Sequence, residues 1–420
     1  MNLFVALRVF LISLLVILQA CGGGGSGGNS TSSGNNSSSN LTPKVVSGSS
    51  MENKAVSDLP VTLTQLPKIP DLNVILSTFP EIGAMSSMST SLAVADFQRN
   101  GSYSAFVIAS DRTSSAKAFF VGYDTSTSSW TNLSTSLFHQ SSDRNTCLLP
   151  QQAAVADLNN DGRPDVYVAC ATTGSGPVAQ ALYLSRADGK YEKAPDSTWP
   201  SSLNASSVAL ADFTNDGCLD VITTNNGSLV IYEGHCVGGG YTLTDDTNSR
   251  SPTNLPGSIL NVFLVPNADN ESQYDLLVAA DPTSQSKPIM WFSNNGSGYF
   301  DNTSYREYSI RWGGSSNRYD FVVSGSYGYL YITQSTGPAS QTFVKLAKII
   351  RPRPTSGLSV VYYTPTNSIT PVGDWPSYLR VRNNNLEPYD AACSTTIQAD
   401  DSTRCGKRYP LADFPSLSLP

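Results

Sequence analysis

The stretch Ala156-Asp157-Leu158-Asn159-Asn160-Asp161-Gly162-Arg163-Pro164-Asp165 puts oxygen-bearing side chains at alternate positions of a nine-residue loop, with glycine sixth. Apolar runs flank it, QAAVA before and VYVAC after, so the chain reads strand, loop, strand. A hard cation that takes about six to eight oxygen ligands suits such a loop. Asp157, Asn159, Asp161 and Asp165 offer side chains, Arg163 offers its main-chain carbonyl, and Gly162 permits the sharp turn. This is the ligand order of an EF-hand. That motif is nevertheless excluded, because its twelfth position here is Val168 rather than glutamate and the flanks alternate as strands do.

The unit recurs. ADFTNDGCLD, from Ala211 to Asp220, offers Asp212, Thr214, Asp216, the Cys218 carbonyl and Asp220. PNADNESQYD, from Pro266 to Asp275, offers Asn267, Asp269, Glu271 and Asp275, with Ser272 where glycine is preferred. An earlier copy retains Asp96, Gln98, Asn100 and Ser104 but only one formal charge, and RYDFVVSG keeps just the final aspartate, Asp320. The loops start at Asp96, Asp157, Asp212 and Asn267, which are 61, 55 and 55 residues apart. Structural calcium in two to three sites is the expectation: the second and third loops foremost, the fourth distorted and the first weakest in charge. The plain alternative is that Asn-Asp-Gly simply makes good turns between strands.

Third-strand segments also align, as AFFVG, ALYLS, LVIYE, IMWFS and YLYIT. An aromatic then opens a fourth strand: Trp130, Tyr191, Tyr241, Phe300 and Phe343 lie 26, 26, 21, 25 and 23 residues beyond the last loop position. Four-stranded units that cannot close their own cores point to radial repetition. The expected fold is an all-β β-propeller of four-stranded blades, with five repeats detectable and five to seven blades possible. In these loops and flanks the chain resembles the FG-GAP or VCBS-type repeats of bacterial surface proteins and of the integrin α-subunit propeller. The Phe-Gly and Gly-Ala-Pro pieces that name the family are absent. The resemblance therefore implies the propeller and its calcium loops rather than an integrin-like ligand face.

The N-terminus carries a different message. Arg8 precedes an apolar run from Val9 to Leu18 that only Ser13 interrupts, the pattern of a signal-peptide core. Leu18-Gln19-Ala20-Cys21 resembles the lipobox of bacterial lipoproteins, which implies cleavage before Cys21, lipidation of that cysteine and retention in the cell envelope. With Gly22 next, the outer membrane is the expected address. The expected divisions are a signal peptide over 1–20, a Gly/Ser/Asn-rich flexible tether over 21–58, the propeller over 59–350, and a C-terminal segment over 351–420 with closing strands and a stapled tail. Gly24-Gly25-Ser26-Gly27-Gly28 matches GxSxG, but a glycine tether supplies neither the strand nor the helix that chemistry requires. Asp124-Thr125-Ser126-Thr127-Ser128 matches the DxSxS of metal-dependent adhesion domains and reads better as a polar hairpin turn.

Seven cysteines less Cys21 leave six, and in an exported chain sequence neighbours pair most simply: Cys147 with Cys170, Cys218 with Cys236, and Cys393 with Cys405. Only 14% of the 420 residues are charged, and 33 acidic against 26 basic side chains give a formal charge of −7. That balance excludes nucleic acid as the main partner. Two histidines, His139 and His235, exclude sites built from several imidazoles. Trp130 and Trp291 are expected in the blade core, whereas Trp199, Trp312 and Trp375 lie outside that register and are freer candidates to stack on sugars, with packing still the favoured reading. No catalytic constellation stands out. The leading expectation is a binding, adhesion or protein-interaction module for an unidentified protein or glycan, with a propeller-type carbohydrate-active enzyme or a structural subunit of an outer-membrane assembly as alternatives.

Overall fold

The computed structural model describes residues 45–47, 77–80, 91–100, 104–111, 113–114, 116–124, 126–172, 174, 176–267, 273–281, 288–300, 305–308, 316–324, 327–336, 341–350, 360–363, 377–382, 385–390 and 409–410. The signal peptide, Cys21, Asp269, Glu271, Trp312, Trp375, Cys393 and Cys405 lie outside them.

Strand β1 is Val45–Ser47. The first sheet is β2 (Ser91–Ala95), β3 (Ser104–Ser110), β4 (Ala116–Asp124) and β5 (Ser129–Asn132). The second is β6 (Leu149–Ala156), β7 (Asp165–Ala171), β8 (Ala181–Ser185) and β9 (Tyr191–Lys193). The third is β10 (Val208–Ala211), β11 (Asp220–Asn225), β12 (Ser228–His235) and β13 (Thr242–Asp245), and the fourth is β14 (Ile259–Pro266), β15 (Tyr274–Ala280), β16 (Ile289–Phe292) and β17 (Arg306–Tyr308). A fifth holds β18 (Ser316–Ser324), β19 (Tyr327–Thr336), β20 (Gln341–Ile350) and β21 (Val360–Tyr363), and a sixth holds β22 (Ser377–Arg382), β23 (Asn385–Asp390) and β24 (Tyr409–Pro410). In every sheet the strands run antiparallel in sequence order. β1 adds to the third sheet beside β10, with Val45 opposite Ala211, so the segment read as a flexible tether contributes a strand.

Burial explains why second strands read as unbroken apolar runs rather than alternating ones. Every residue of β3 and of β15 is buried, and so is nearly all of β7 and β11, because both faces of each strand are covered. The outermost strands β5 and β13 are largely exposed. The third sheet shows the two-sidedness residue by residue. Val208, Leu210, Val221, Val230 and Tyr232 join a core shared with the first two sheets, while their neighbours Ala209, Ala211, Ile222, Leu229 and Ile231 join a core shared with the fourth. Period-2 alternation thus sends successive side chains into two different inter-sheet cores.

The first strands carry the succession. β2 lies against β6, β6 against β10, β10 against β14, β14 against β18 and β18 against β22. Polar side chains tie the starts of these strands together. The Gln152 Oε1 accepts from Ser207 Oγ at 2.7 Å and Val208 N at 2.8 Å, and Ser207 Oγ accepts from Val262 N at 3.1 Å. Ser206 Oγ donates to the Leu260 carbonyl at 2.7 Å. An all-β chain of small antiparallel sheets in serial contact is consistent with a propeller-like fold.

One tryptophan expectation changes. Trp130 is not core: it is half-buried on the outer strand β5, edge-on to Tyr123 at 5.1 Å. Trp199 packs, buried against Tyr167 with ring centroids 4.9 Å apart, and is not free to meet sugars. Trp291 is core as expected. The fifth unit is displaced by one strand from its sequence register. Asp320 sits within the first strand, paired with Tyr331, and Phe343 lies in the third rather than opening the fourth, which Val360–Tyr363 supplies. Its first three strands are nine, ten and ten residues long, so no nine-residue acidic loop remains between the first two to set the register. The disulfides Cys147–Cys170 and Cys218–Cys236 form as paired from the sequence.

The Gln152 bridge gives the fold a direct test. Gln152→Ala strands the buried Val208 N–H and frees Ser207, so unfolding in denaturant is expected to show a loss of about 1–3 kcal/mol. A change within error would show that the bridge does not hold the sheets together.

Candidate metal-binding loops

The second and third loops share one backbone path. The fourth residue of each, Asn160 at φ 58° and Asn215 at φ 64°, is left-handed, as is Arg99 at φ 51° in the first loop. Gly162 at φ 79° and Gly217 at φ 92° follow at the sixth position, where a side chain would be strained. The opening aspartate sets this path by accepting from main-chain N–H groups across the loop. The Asp157 carboxylate takes Asp161 N at 2.9 Å and Gly162 N at 2.7 Å, and Asp212 takes Asp216 N at 3.1 Å and Gly217 N at 3.0 Å. Asp96 repeats the first bond with Asn100 N at 3.0 Å. Asp161 and Asp216 then each accept from the residue two further on, Arg163 N and Cys218 N, both at 2.9 Å.

The closing aspartate has a role that spacing alone does not reveal. Asp165 is fully buried; one oxygen accepts Leu158 N at 2.8 Å and Asn159 N at 3.2 Å, and the other accepts Ser185 N at 2.6 Å from β8. Asp220 does the same with Phe213 N and Thr214 N, both at 3.0 Å, and with Gly234 N at 3.0 Å from β12. In the fourth unit Asp275 takes Asn294 N at 3.0 Å and the Trp291 indole Nε1 at 3.0 Å. Each closing carboxylate therefore staples its loop to the end of the third strand. Ser185, Gly234 and Asn294 were invisible as partners because they lie 20, 14 and 19 residues after the aspartate they bind.

The upper part of the second loop is oxygen-lined, half-buried at Asp157 and Asp161 and buried at Asn159, whose Nδ2 donates to the Ser185 carbonyl at 3.1 Å. The Ser185 hydroxyl donates to both Asp161 oxygens at 3.0 and 2.9 Å. In the third unit the same part holds Asp212 and Asp216, while the Thr214 hydroxyl turns down to donate to Asp220 at 3.0 Å. In the fourth, Asn267 donates through Nδ2 to Asp275 at 3.2 Å. Burial first, and the nearby Asp161 and Asp216 charges among lesser causes, hold the Asp157 and Asp212 carboxyls above the usual carboxylate range. Asp124 of the DxSxS match closes a hairpin turn, accepting Ser126 N at 2.8 Å.

The loops also lock successive sheets. The residue after the opening aspartate points inward: Phe97 packs edge-on against Tyr191 at 5.7 Å and Phe213 against Phe300 at 5.7 Å. The Tyr191 hydroxyl donates to the Phe97 carbonyl at 3.1 Å, and Asn294 Nδ2 donates to the Phe213 carbonyl at 3.0 Å. The regularly spaced aromatics Tyr191 and Phe300 thus receive the loop of the preceding unit; Tyr191 opens β9, whereas Phe300, expected to open a strand, lies ahead of β17 in an isolated bridge with Asn294.

Comparison with known proteins is consistent with this repeat. A family model described as an FG-GAP-like repeat matches residues 157–223, the span that contains both well-formed loops. No curated protein sequence matches the chain. Among solved structures, a "putative 6-phosphogluconolactonase" from Bacteroides uniformis ATCC 8492 is 15% identical, with a TM-score of 0.39 over 68% of this chain and 77% of that one. A likeness at that level says nothing about activity.

The buried staples give stability a pH dependence. Burial pushes the Asp165 carboxyl up to about 8 and Asp220 up to about 7, against the lowering pull of their N–H donors. A folded-state value above the unfolded one favours the native state at low pH, and the contribution is lost as pH rises through the folded value. The melting temperature of cation-free protein is therefore expected to fall from about pH 5 to about pH 8.5. Asp165→Asn should be less stable but show a flatter slope; a wild-type melting temperature that climbs over that window would contradict the assignment.

Proposed function

We propose that the chain is a lipid-anchored, extracytoplasmic β-propeller, stiffened by calcium, that serves as a binding or protein-interaction module. The observation that carries this reading is the matched geometry of the second and third loops: the same left-handed positions, the same N–H acceptors and the same buried staple. A turn needs no acidic residue at both ends.

The donor set fits a hard cation. It is oxygen-only, and its opening aspartates are held above the usual carboxylate range, a cost that a bound cation would relieve. Asp157, Asn159, Asp161 and the Arg163 carbonyl would hold the ion in the second loop, and Asp212, Asp216 and the Cys218 carbonyl in the third. Asp165 and Asp220 would act from beneath, fixing the loop through its amides. The fourth loop would follow with Asn267, Asp269 and Glu271, and Asp275 would be its staple. Calcium supplies charge neutralisation and rigidity there, which stabilises the native state in proportion to how much more tightly the folded chain binds it. Neighbouring sheets meet through the same loops, so stiff loops keep the sheets in register, and an exposed face so held is suited to a protein or glycan partner. The N-terminal lipid would tether that face to the envelope, with the outer membrane as the expected address.

Two measurements test the reading. Chelation should lower the melting temperature and added calcium restore it. Asp157→Asn with Asp212→Asn should remove most of that response, and an unchanged melt in EDTA would remove calcium from the account. Separately, Cys21→Ser should move the protein from the membrane fraction to the soluble one; unaltered fractionation would remove the lipid anchor.

A further inference from the structure

The second and third loops differ at one point that changes the metal chemistry. Ser185 and Gly234 are equivalent, since each donates its N–H to the closing aspartate of its unit. In the second unit the Ser185 hydroxyl satisfies Asp161. In the third no side chain fits at this position, because a Cβ on Gly234 would run into the Leu219 carbonyl. Asp216 meets the flanking residues instead. Glu233 and His235, two apart on β12, project from one face of the strand. One potential ligand atom from each of Asp216, Glu233 and His235 lies within 4.8 Å of the others.

We propose that these three side chains form a site for a zinc-class divalent cation. Two carboxylates and an imidazole are a mixed oxygen and nitrogen donor set, which suits zinc, cobalt or nickel and is foreign to a calcium loop. Three protein ligands leave a fourth position for water. Both ligand-bearing segments are tied together: Cys218, two residues after Asp216, is bonded to Cys236, the residue after His235. His235 Nε2 sits 3.0 Å from the Thr244 hydroxyl, a contact that fixes the ring plane. Arg250 offsets Glu233 only in part, since it pairs with Glu233 at 2.9 Å and also with Asp246. Asp216 would then serve this site in place of a calcium ion in the third loop, and calcium binding in the second loop is independent of it.

The test is a cobalt titration of the metal-stripped full chain, followed by visible absorption. Wild type should take one equivalent with a d–d band that zinc displaces. His235→Ala and, independently, Glu233→Gln should weaken binding by more than the about 100-fold that loss of an outer-shell partner costs at most. His139→Ala, which removes the chain's other histidine, should leave the band unchanged. Thermal melts of each variant establish that it is folded. Absence of the band in wild type, or a band unchanged in folded His235→Ala, overturns the site.

Discussion

The rest of the described structure depends on one buried interaction, a carboxylate that accepts main-chain N–H groups from two directions. Asp165, Asp220 and Asp275 each sit at the start of a second strand, with almost no exposure. Two of them gather the first amides of their own loop with one oxygen and an amide of the third strand with the other. Burying a carboxylate is costly, and burial is the first cause of the raised values at Asp165 and Asp220. Three amide partners repay it by relieving donors that burial would otherwise leave empty.

The staple matters because of what hangs on the loop above it. With the amides fixed, the residue after the opening aspartate is aimed inward, and Phe213 meets Phe300 of the next sheet. Phe97 meets Tyr191 in the same way, although its loop closes on Ser104 and has no carboxylate staple. Leu158 and Tyr241 belong to one core. Loop geometry is thereby converted into contact between sheets. A second set of ties runs along the first strands through Gln152, Ser206 and Ser207. Sheets that are apolar on both faces cannot be stable alone, so these ties decide which neighbour each face receives.

Much of this was legible in sequence. Acidic loops between apolar runs gave the strand order of the first four sheets, and neighbouring cysteines gave both disulfides among the described residues. Reading failed where the loop chemistry runs out. The fifth unit retains a single aspartate, Asp320, and without the other loop oxygens nothing distinguished a strand start from a strand middle. An isolated aromatic misled for a related reason. Trp130 follows the repeat spacing but falls on an exposed outer strand, whereas Trp199 lies outside the spacing and packs on Tyr167. Spacing reports position along a strand, whereas burial depends on which sheet comes next. The third-strand partners of the staples were hidden because hairpins of unequal length separate them from their aspartates.

The contrast between the second and third units shows how one backbone can host different chemistry. Both loops follow the same path because the amides, not the side chains above them, are what the aspartates hold. The residues that flank the staple on the third strand are then free to vary. Leu184 and Arg186 stand beside Ser185, whereas Glu233 and His235 stand beside Gly234. The Arg186 guanidinium is drawn to Glu192 and Asp188, away from loop chemistry, while the equivalent His235 remains beside Asp216. Removal of the serine side chain and introduction of an imidazole occur at adjacent positions. The first exposes the Asp216 carboxylate and the second supplies a nitrogen donor to it. Neither change disturbs the N–H bond to Asp220, so the scaffold tolerates both, and the difference between the two loops is one of chemistry and not of fold.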